Sequence, residues 1–101
     1  MELINKELIE ILNIPQLYGT EEIDTENKII YLKYIEPNTG WVWHLCEVDF
    51  YDEYKRAFGY VIGGYNGYQE WGYFSLVEME EIYTIVRDES FKPIKFRELK
   101  V

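Results

Sequence analysis

The sequence predicts an α+β fold: a single small domain over residues 1–101, an antiparallel meander of about four strands with helices packed on one face. Three observations predict it. Runs rich in β-branched and aromatic residues at 28–35, 41–50 and 57–65 alternate with short turn-forming stretches. Helix-start signals stand at Asn5 and again at Ser75–Glu78. Aromatic residues make up 18% of a 101-residue chain, and large rings can close a core of modest size.

Each element follows in order. Asn5 is placed to cap a helix whose apolar positions are Leu8, Ile9, Ile11 and Leu12, with Glu7 and Glu10 outward. Pro15 ends it, because the residue before a proline avoids helical angles. Gln16–Asn27 is acidic and reads as a loop with at most a turn of helix. Lys28–Ile35 is a strand. Glu36–Gly40 is a turn, with Pro37, Asn38 and Gly40 suited to its angles. Trp41–Phe50 is the next strand, with apolar residues on both faces at its start, as a central strand needs. Strict alternation sets Trp41, Trp43, Leu45, Glu47 and Asp49 on one face. Val42, His44, Cys46, Val48 and Phe50 fall on the other.

Asp52–Arg56 is a charged connection. Ala57–Tyr65 is a third strand, Asn66–Glu70 a turn and Trp71–Phe74 a short fourth strand. Ser75 with Glu78 fits a capping box, opening a helix to about Tyr83 with Leu76, Met79, Ile82 and Tyr83 inward. Ile85–Arg87 reads as a further short strand. Pro93 limits the last segment, and Phe96–Lys100 reads as one helical turn.

The net charge is -9 and it is unevenly distributed. Residues 1–86 hold sixteen acidic and five basic side chains, while residues 87–101 hold three and five. Neither 7–27 nor 57–86 contains Lys or Arg. Such a field repels phosphates and anionic membranes and attracts a basic partner. Direct nucleic-acid binding and membrane binding are therefore not expected. Cys46 is the one cysteine, so an intrachain disulfide is excluded, and the opening residues lack a basic, apolar leader. The expectation is a cytoplasmic protein.

Candidate chemistry is sparse. His44 and Cys46 are two apart on one strand, about 6.5 Å at the backbone, too far for a direct activated pair. Flanking Val42 and Val48 assign them to the core. A zinc site needs about four ligands, which this pair does not supply. Glu47, Asp49, Asp52 and Glu53 form the densest carboxylate group, suited to acid–base work or to Mg²⁺ or Ca²⁺. Lys55 and Arg56 are close enough in sequence to neutralise it. Gly59, Gly63, Gly64 and Gly67 lack the Gly-Lys-Ser/Thr continuation of a phosphate loop. Seven aromatic residues lie within Phe58–Leu76, and that stretch holds no basic residue. Single-strand binders combine stacking rings with a basic groove, so protein recognition suits these rings better.

Several stretches together resemble the domain-of-unknown-function 2958 family. They are IPQLYGTEEI at 14–23, KIIYLKYIEP at 28–37, Trp41 and Trp43, Glu47 and Asp49, FGYVIGGY at 58–65, EWGYFSLVEMEEI at 70–82 and RDESFKPIKFREL at 87–99. The Leu-Tyr-x-Thr-Glu and Trp-Gly-Tyr-Phe-Ser-Leu segments are the most specific. The resemblance spans nearly the whole chain. It implies a small protein of plasmids, conjugative elements or phages, and it carries over no activity, cofactor or catalytic residue.

Charge, rings and this implied setting lead to one expectation. The chain is an acidic, non-enzymatic interaction protein without metal or cofactor. It would inhibit host defence, of anti-CRISPR or antirestriction type, by binding a basic surface on a nucleic-acid-processing enzyme. The residues expected to carry it are Glu21, Glu22, Asp24, Glu26, Tyr65 and Tyr68. The alternative is a small metal-dependent or acid–base enzyme built on Glu47, Asp49 and Asp52, with His44 as a further candidate.

Overall fold

In chain order the elements are α1 (Lys6–Leu12), a 3-10 turn at Thr25–Asn27, β1 (Ile29–Ile30), β2 (Leu32–Glu36), β3 (Trp41–Val48), β4 (Arg56–Ile62), β5 (Gln69–Ser75), α2 (Leu76–Glu80), β6 (Val86–Arg87), β7 (Ile94–Lys95) and a 3-10 turn at Phe96–Glu98. The computed structural model describes residues 2–64 and 67–100, so Tyr65, the expected end of the third strand, and Asn66, the expected start of the turn, lie outside the described residues; β4 ends earlier, at Ile62, and β5 begins at Gln69, within the turn expected over 66–70. The main sheet has five antiparallel strands in the order β5-β4-β3-β2-β6, and β1 pairs with β7 in a second, two-stranded sheet. The expected meander is present as β2-β3-β4-β5. The short strand expected at Ile85–Arg87 is β6 (Val86–Arg87), an edge beside β2, and the strand not expected is β7, which pairs with β1.

Both helices start where their caps place them. The Asn5 side chain accepts the Leu8 N–H at 2.8 Å, and Asn13 closes α1 in the left-handed conformation at φ 57°. The Ser75 hydroxyl accepts the Glu78 N–H at 3.1 Å and donates to the Tyr54 carbonyl at 2.8 Å. Leu76 and Met79 are buried as expected. Ile82 and Tyr83 are not: they are 50% and 90% exposed. The helix stops at Glu80 instead of Tyr83. Glu78, Glu80 and Glu81 crowd its final turn, where the helix dipole disfavours anions, and β-branched Thr84, Ile85 and Val86 follow.

Two further corrections share a cause. The single strand expected over 28–35 breaks at Tyr31, and the strict alternation expected over 41–50 fails at Cys46. A bulge between Leu45 and Glu47 leaves Cys46 without a partner on β4: Leu45 faces Gly59, and Glu47 faces Phe58. The extra residue exchanges the two faces downstream. Val48 thus joins Leu45 in the core, whereas Glu47 moves to the side of His44. The Tyr31 N–H bonds to the Leu45 carbonyl at 2.8 Å, opposite this bulge, and the chain before it leaves for β7.

One apolar cluster joins Leu3, Ile4 and Ile14, which flank α1, to Leu76 and Met79 of α2, to Ile85, and to Leu32, Tyr34, Leu45, Val48 and Ala57 of the sheet. The Tyr34 hydroxyl donates to the Leu3 carbonyl at 2.8 Å, so the deepest ring keeps a polar partner. A second group of rings packs from β4 and β5 onto the C-terminal segment: Tyr60 and Trp71 each lie 4.8 Å from Phe96 by ring centroid, one edge-on and one tilted.

Candidate functional site

The carboxylates of the alternative reading are occupied in building turns. Asp49 Oδ1 accepts the N–H groups of Tyr51 and Asp52, both at 3.2 Å. Asp52 Oδ2 accepts those of Tyr54 at 3.0 Å and Arg56 at 3.3 Å. The expected neutralisation by Lys55 and Arg56 is not what holds this loop. Lys55 instead lies over the Phe50 ring, 4.9 Å from its centroid. Among the described residues there is no group of three or more His, Cys, Asp or Glu side chains arranged to hold a metal ion.

Glu47 is 2% exposed and belongs to a buried network that sequence reasoning did not find. Its Oε1 accepts the Tyr18 N–H at 2.7 Å, and its Oε2 accepts the Thr20 N–H at 3.1 Å. The Thr20 hydroxyl donates to the same carboxylate. Lys28, 8% exposed, donates from Nζ to the Thr20 carbonyl at 2.5 Å and to its hydroxyl at 2.8 Å. A buried charge needs such satisfaction, and here it fastens the acidic loop to the sheet. The bulge is the hidden signal, since it turns Glu47 toward that loop.

His44 and Cys46 are 1% and 0% exposed. His44 Nδ1 lies 3.1 Å from the Tyr60 carbonyl, so this nitrogen carries the proton and donates. Burial, aided by the Lys33 charge and opposed by that carbonyl, lowers the His44 pKa to about 4. Burial also pushes the Cys46 thiol up. The buried neutral ring packs on Tyr60 and Phe91 and the buried protonated thiol on Thr20, so the two are separate core groups and not an activated pair.

Glu21, Glu22, Asp24 and Glu26 are all exposed. Arg87–Glu89, at 3.7 Å, is the sole ion pair among the described residues, so these four carboxylates face solvent unpaired there. The fold also brings the basic C-terminal segment alongside them. The turn at Thr25–Asn27 packs on the turn at Phe96–Glu98, the Phe96 N–H donates to the Lys28 carbonyl at 2.8 Å, and Lys95 pairs with Ile29. Cations at Lys95 and Arg97 therefore moderate the field at the Glu26 end. The opposite end adjoins Tyr73, whose hydroxyl pKa is raised by partial burial first and then by Tyr18, Glu47 and Glu21.

The partners of Tyr68 are Glu70 and Trp41, not residues of this segment. Tyr68 precedes Tyr73 by five residues of extended chain, about 17 Å. It is 42% exposed, donates to Glu70 at 2.8 Å, and lies 5.9 Å from Trp41 by ring centroid. Tyr65 lies outside the described residues.

Around Tyr68 is a feature that sequence reasoning did not single out. Trp41 and Trp43 stack 6.0 Å apart with an interplanar angle of 23°. With Ile82, Ile85, Glu36, Asn38 and Thr39 they line an open hollow of about 490 Å³. The sequence signal was present: residues two apart on a strand share a face, and Glu36 is the register partner of Trp41. The missing piece was Ile82, which reads as a core helix position until α2 is seen to stop short of it.

Compared with protein-family models, with curated proteins and with solved structures, the chain matches none.

Proposed function

We propose that this chain is a non-enzymatic interaction protein whose acidic exterior binds a basic surface of another protein. The observation that carries the reading is the charge bookkeeping of the fold. Nineteen acidic side chains face ten basic ones, yet the described residues contain one ion pair. Carboxylates left facing solvent raise the local concentration of a positively charged partner and speed its encounter. Glu21, Glu22 and Asp24 form the leading edge, away from the C-terminal cations. The turn-building roles of Asp49 and Asp52 and the satisfied burial of Glu47 favour this reading over a carboxylate enzyme.

The partner class follows from the same electrostatics. Basic grooves that normally hold phosphates concentrate Lys and Arg charge on one surface. A nucleic-acid-processing enzyme is therefore the proposed target, and the proposed role is inhibition of host defence in a mobile-element setting. The test is retention of purified restriction and CRISPR effector enzymes on the immobilised chain. At least one should be retained at low salt and released as salt rises toward 1 M, where the screening length falls to about 3 Å. The variant E21Q/E22Q/D24N/E26Q should retain it at least tenfold less well. Undiminished retention by that variant would exclude this electrostatic mechanism.

A further inference from the structure

The hollow beside Trp41 and Trp43 differs chemically from the acidic loop. Its walls are two indole rings and the side chains of Ile82 and Ile85, and no Lys or Arg lines it. Its volume of about 490 Å³ falls in the range of small-ligand pockets, roughly 300–1,000 Å³. Ile82 is 50% exposed at its rim, an apolar side chain left uncovered.

Glu36 gives the hollow a charge. It is 7% exposed and caps its own turn: Oε1 accepts the N–H groups of Asn38 at 2.6 Å and Thr39 at 2.9 Å, with the Thr39 hydroxyl at 3.3 Å, and Oε2 accepts from the Asn38 amide at 3.4 Å. The Thr84 hydroxyl first, then the Thr39 and Asn38 donors, outweigh burial and hold its carboxyl below the ordinary range. The carboxylate is thus ionised and satisfied by dipoles, while among the described residues no cation pairs with it. A buried anion without a cation, next to two indole faces, makes a negative apolar recess.

From this juxtaposition we infer that the Trp41–Trp43 hollow receives an arginine side chain of the protein partner. The inference deepens the reading of an acidic interaction protein and rests on it for the partner's basic character. Three features select arginine. Its three-methylene stem suits the apolar walls. Its planar guanidinium stacks on indole faces, the strongest of the cation–π partners. Its charge complements Glu36. A neutral ligand would gain nothing from that charge, and lysine would bring a strongly hydrated point charge that stacks poorly. The acidic loop then steers the partner, and the hollow anchors one residue of it.

The test uses the full chain and nine-residue Gly-Ser peptides with a central arginine, citrulline or lysine. Citrulline keeps the shape of arginine and removes the charge. The readout is the indole N–H signals of Trp41, Trp43 and Trp71 in a ¹H–¹⁵N spectrum, assigned with single Trp→Phe variants. The arginine peptide should shift the Trp41 and Trp43 signals, leave Trp71 in place, and bind about tenfold more tightly than the citrulline peptide. The lysine peptide should bind at least threefold more weakly than the arginine one. Equal response to citrulline, or shifts at Trp71 alone, would overturn the inference. Lysine binding as tightly as arginine overturns the choice of arginine. Shifts of Trp41 and Trp43 that follow protein concentration without peptide overturn it in favour of a second copy of this chain. Failure here is separable from failure of the acidic reading. The E21Q/E22Q/D24N/E26Q variant should bind the single-arginine peptide as the natural chain does, while losing retention of a basic enzyme.

Discussion

Gly59 and Gly72 are register partners on β4 and β5, and the fold treats them oppositely. A Cβ on Gly59 would sit 1.8 Å from the His44 carbonyl oxygen and 2.8 Å from its carbon, where β3 approaches most closely. One on Gly72 would meet nothing within 4 Å. Gly59→Ala should therefore destabilise by about 2–4 kcal/mol, since backbone atoms must move. Gly72→Ala should be neutral or stabilising by up to about 1 kcal/mol, because glycine in a strand is entropically unfavourable. Urea denaturation of the two variants reads both signs, and equal destabilisation would contradict the close approach at His44. Sequence offered only a row of glycines among rings. Which one lies under another strand is a tertiary fact.

His44 supplies a second test at the same scale. Its pKa of about 4 in the fold lies below the ordinary value of about 6.5 for an unfolded histidine. Between those values the unfolded chain takes up a proton that the folded chain refuses. The stability contributed by the neutral ring is thus complete above about pH 6.5 and is lost as pH falls toward 4, about 3 kcal/mol in all. His44→Leu should flatten the stability curve across that window relative to the natural chain, measured by urea titrations at each pH. An unchanged slope would mean that the ring is not held neutral. Burial of this histidine was expected from Val42 and Val48, but the bulge sends Val48 to the other face, and Tyr60 and Phe91 cover the ring instead.

At the scale of elements, caps were the most legible signals and strand faces the least. Asn5 and Ser75 declare their helices through short-range hydrogen bonds, which need no knowledge of the rest of the chain. The face of Glu47 depends on one unpartnered residue, Cys46, and alternation rules carry no sign of it. The result is that a residue read as a catalytic carboxylate is a fastening for the loop that precedes β1. Removing one partner from a buried charged network is more damaging than removing both. Lys28→Met should cost about 3 kcal/mol, and Lys28→Met combined with Glu47→Gln should cost less than the two single changes added together. Hydrogen exchange at Tyr18 and Thr20, whose N–H groups bond to Glu47, should accelerate in either single variant. Additive costs with unchanged exchange would show that Glu47 does not hold the loop.

For the whole molecule, composition already announced the charge, and the fold decides where it is felt. Lys95 and Arg97 lie beside the downstream end of the acidic loop, so one end of Glu21–Glu26 faces solvent with a clear field and the other does not. Tyr68 packs on Trp41 and bonds to Glu70. The surface thus offers two chemically distinct features, an acidic edge and an aromatic hollow. Neither part depends on matching a known protein.

The central claim is that the uncompensated carboxylates drive association. Its most direct test is the association rate between this chain and an effector enzyme that it retains, measured as salt is raised from 0.05 to 0.5 M (about one decade). The account predicts a fall of at least tenfold, much reduced in the E21Q/E22Q/D24N/E26Q variant. A rate that stays constant across that range in the natural chain would contradict it.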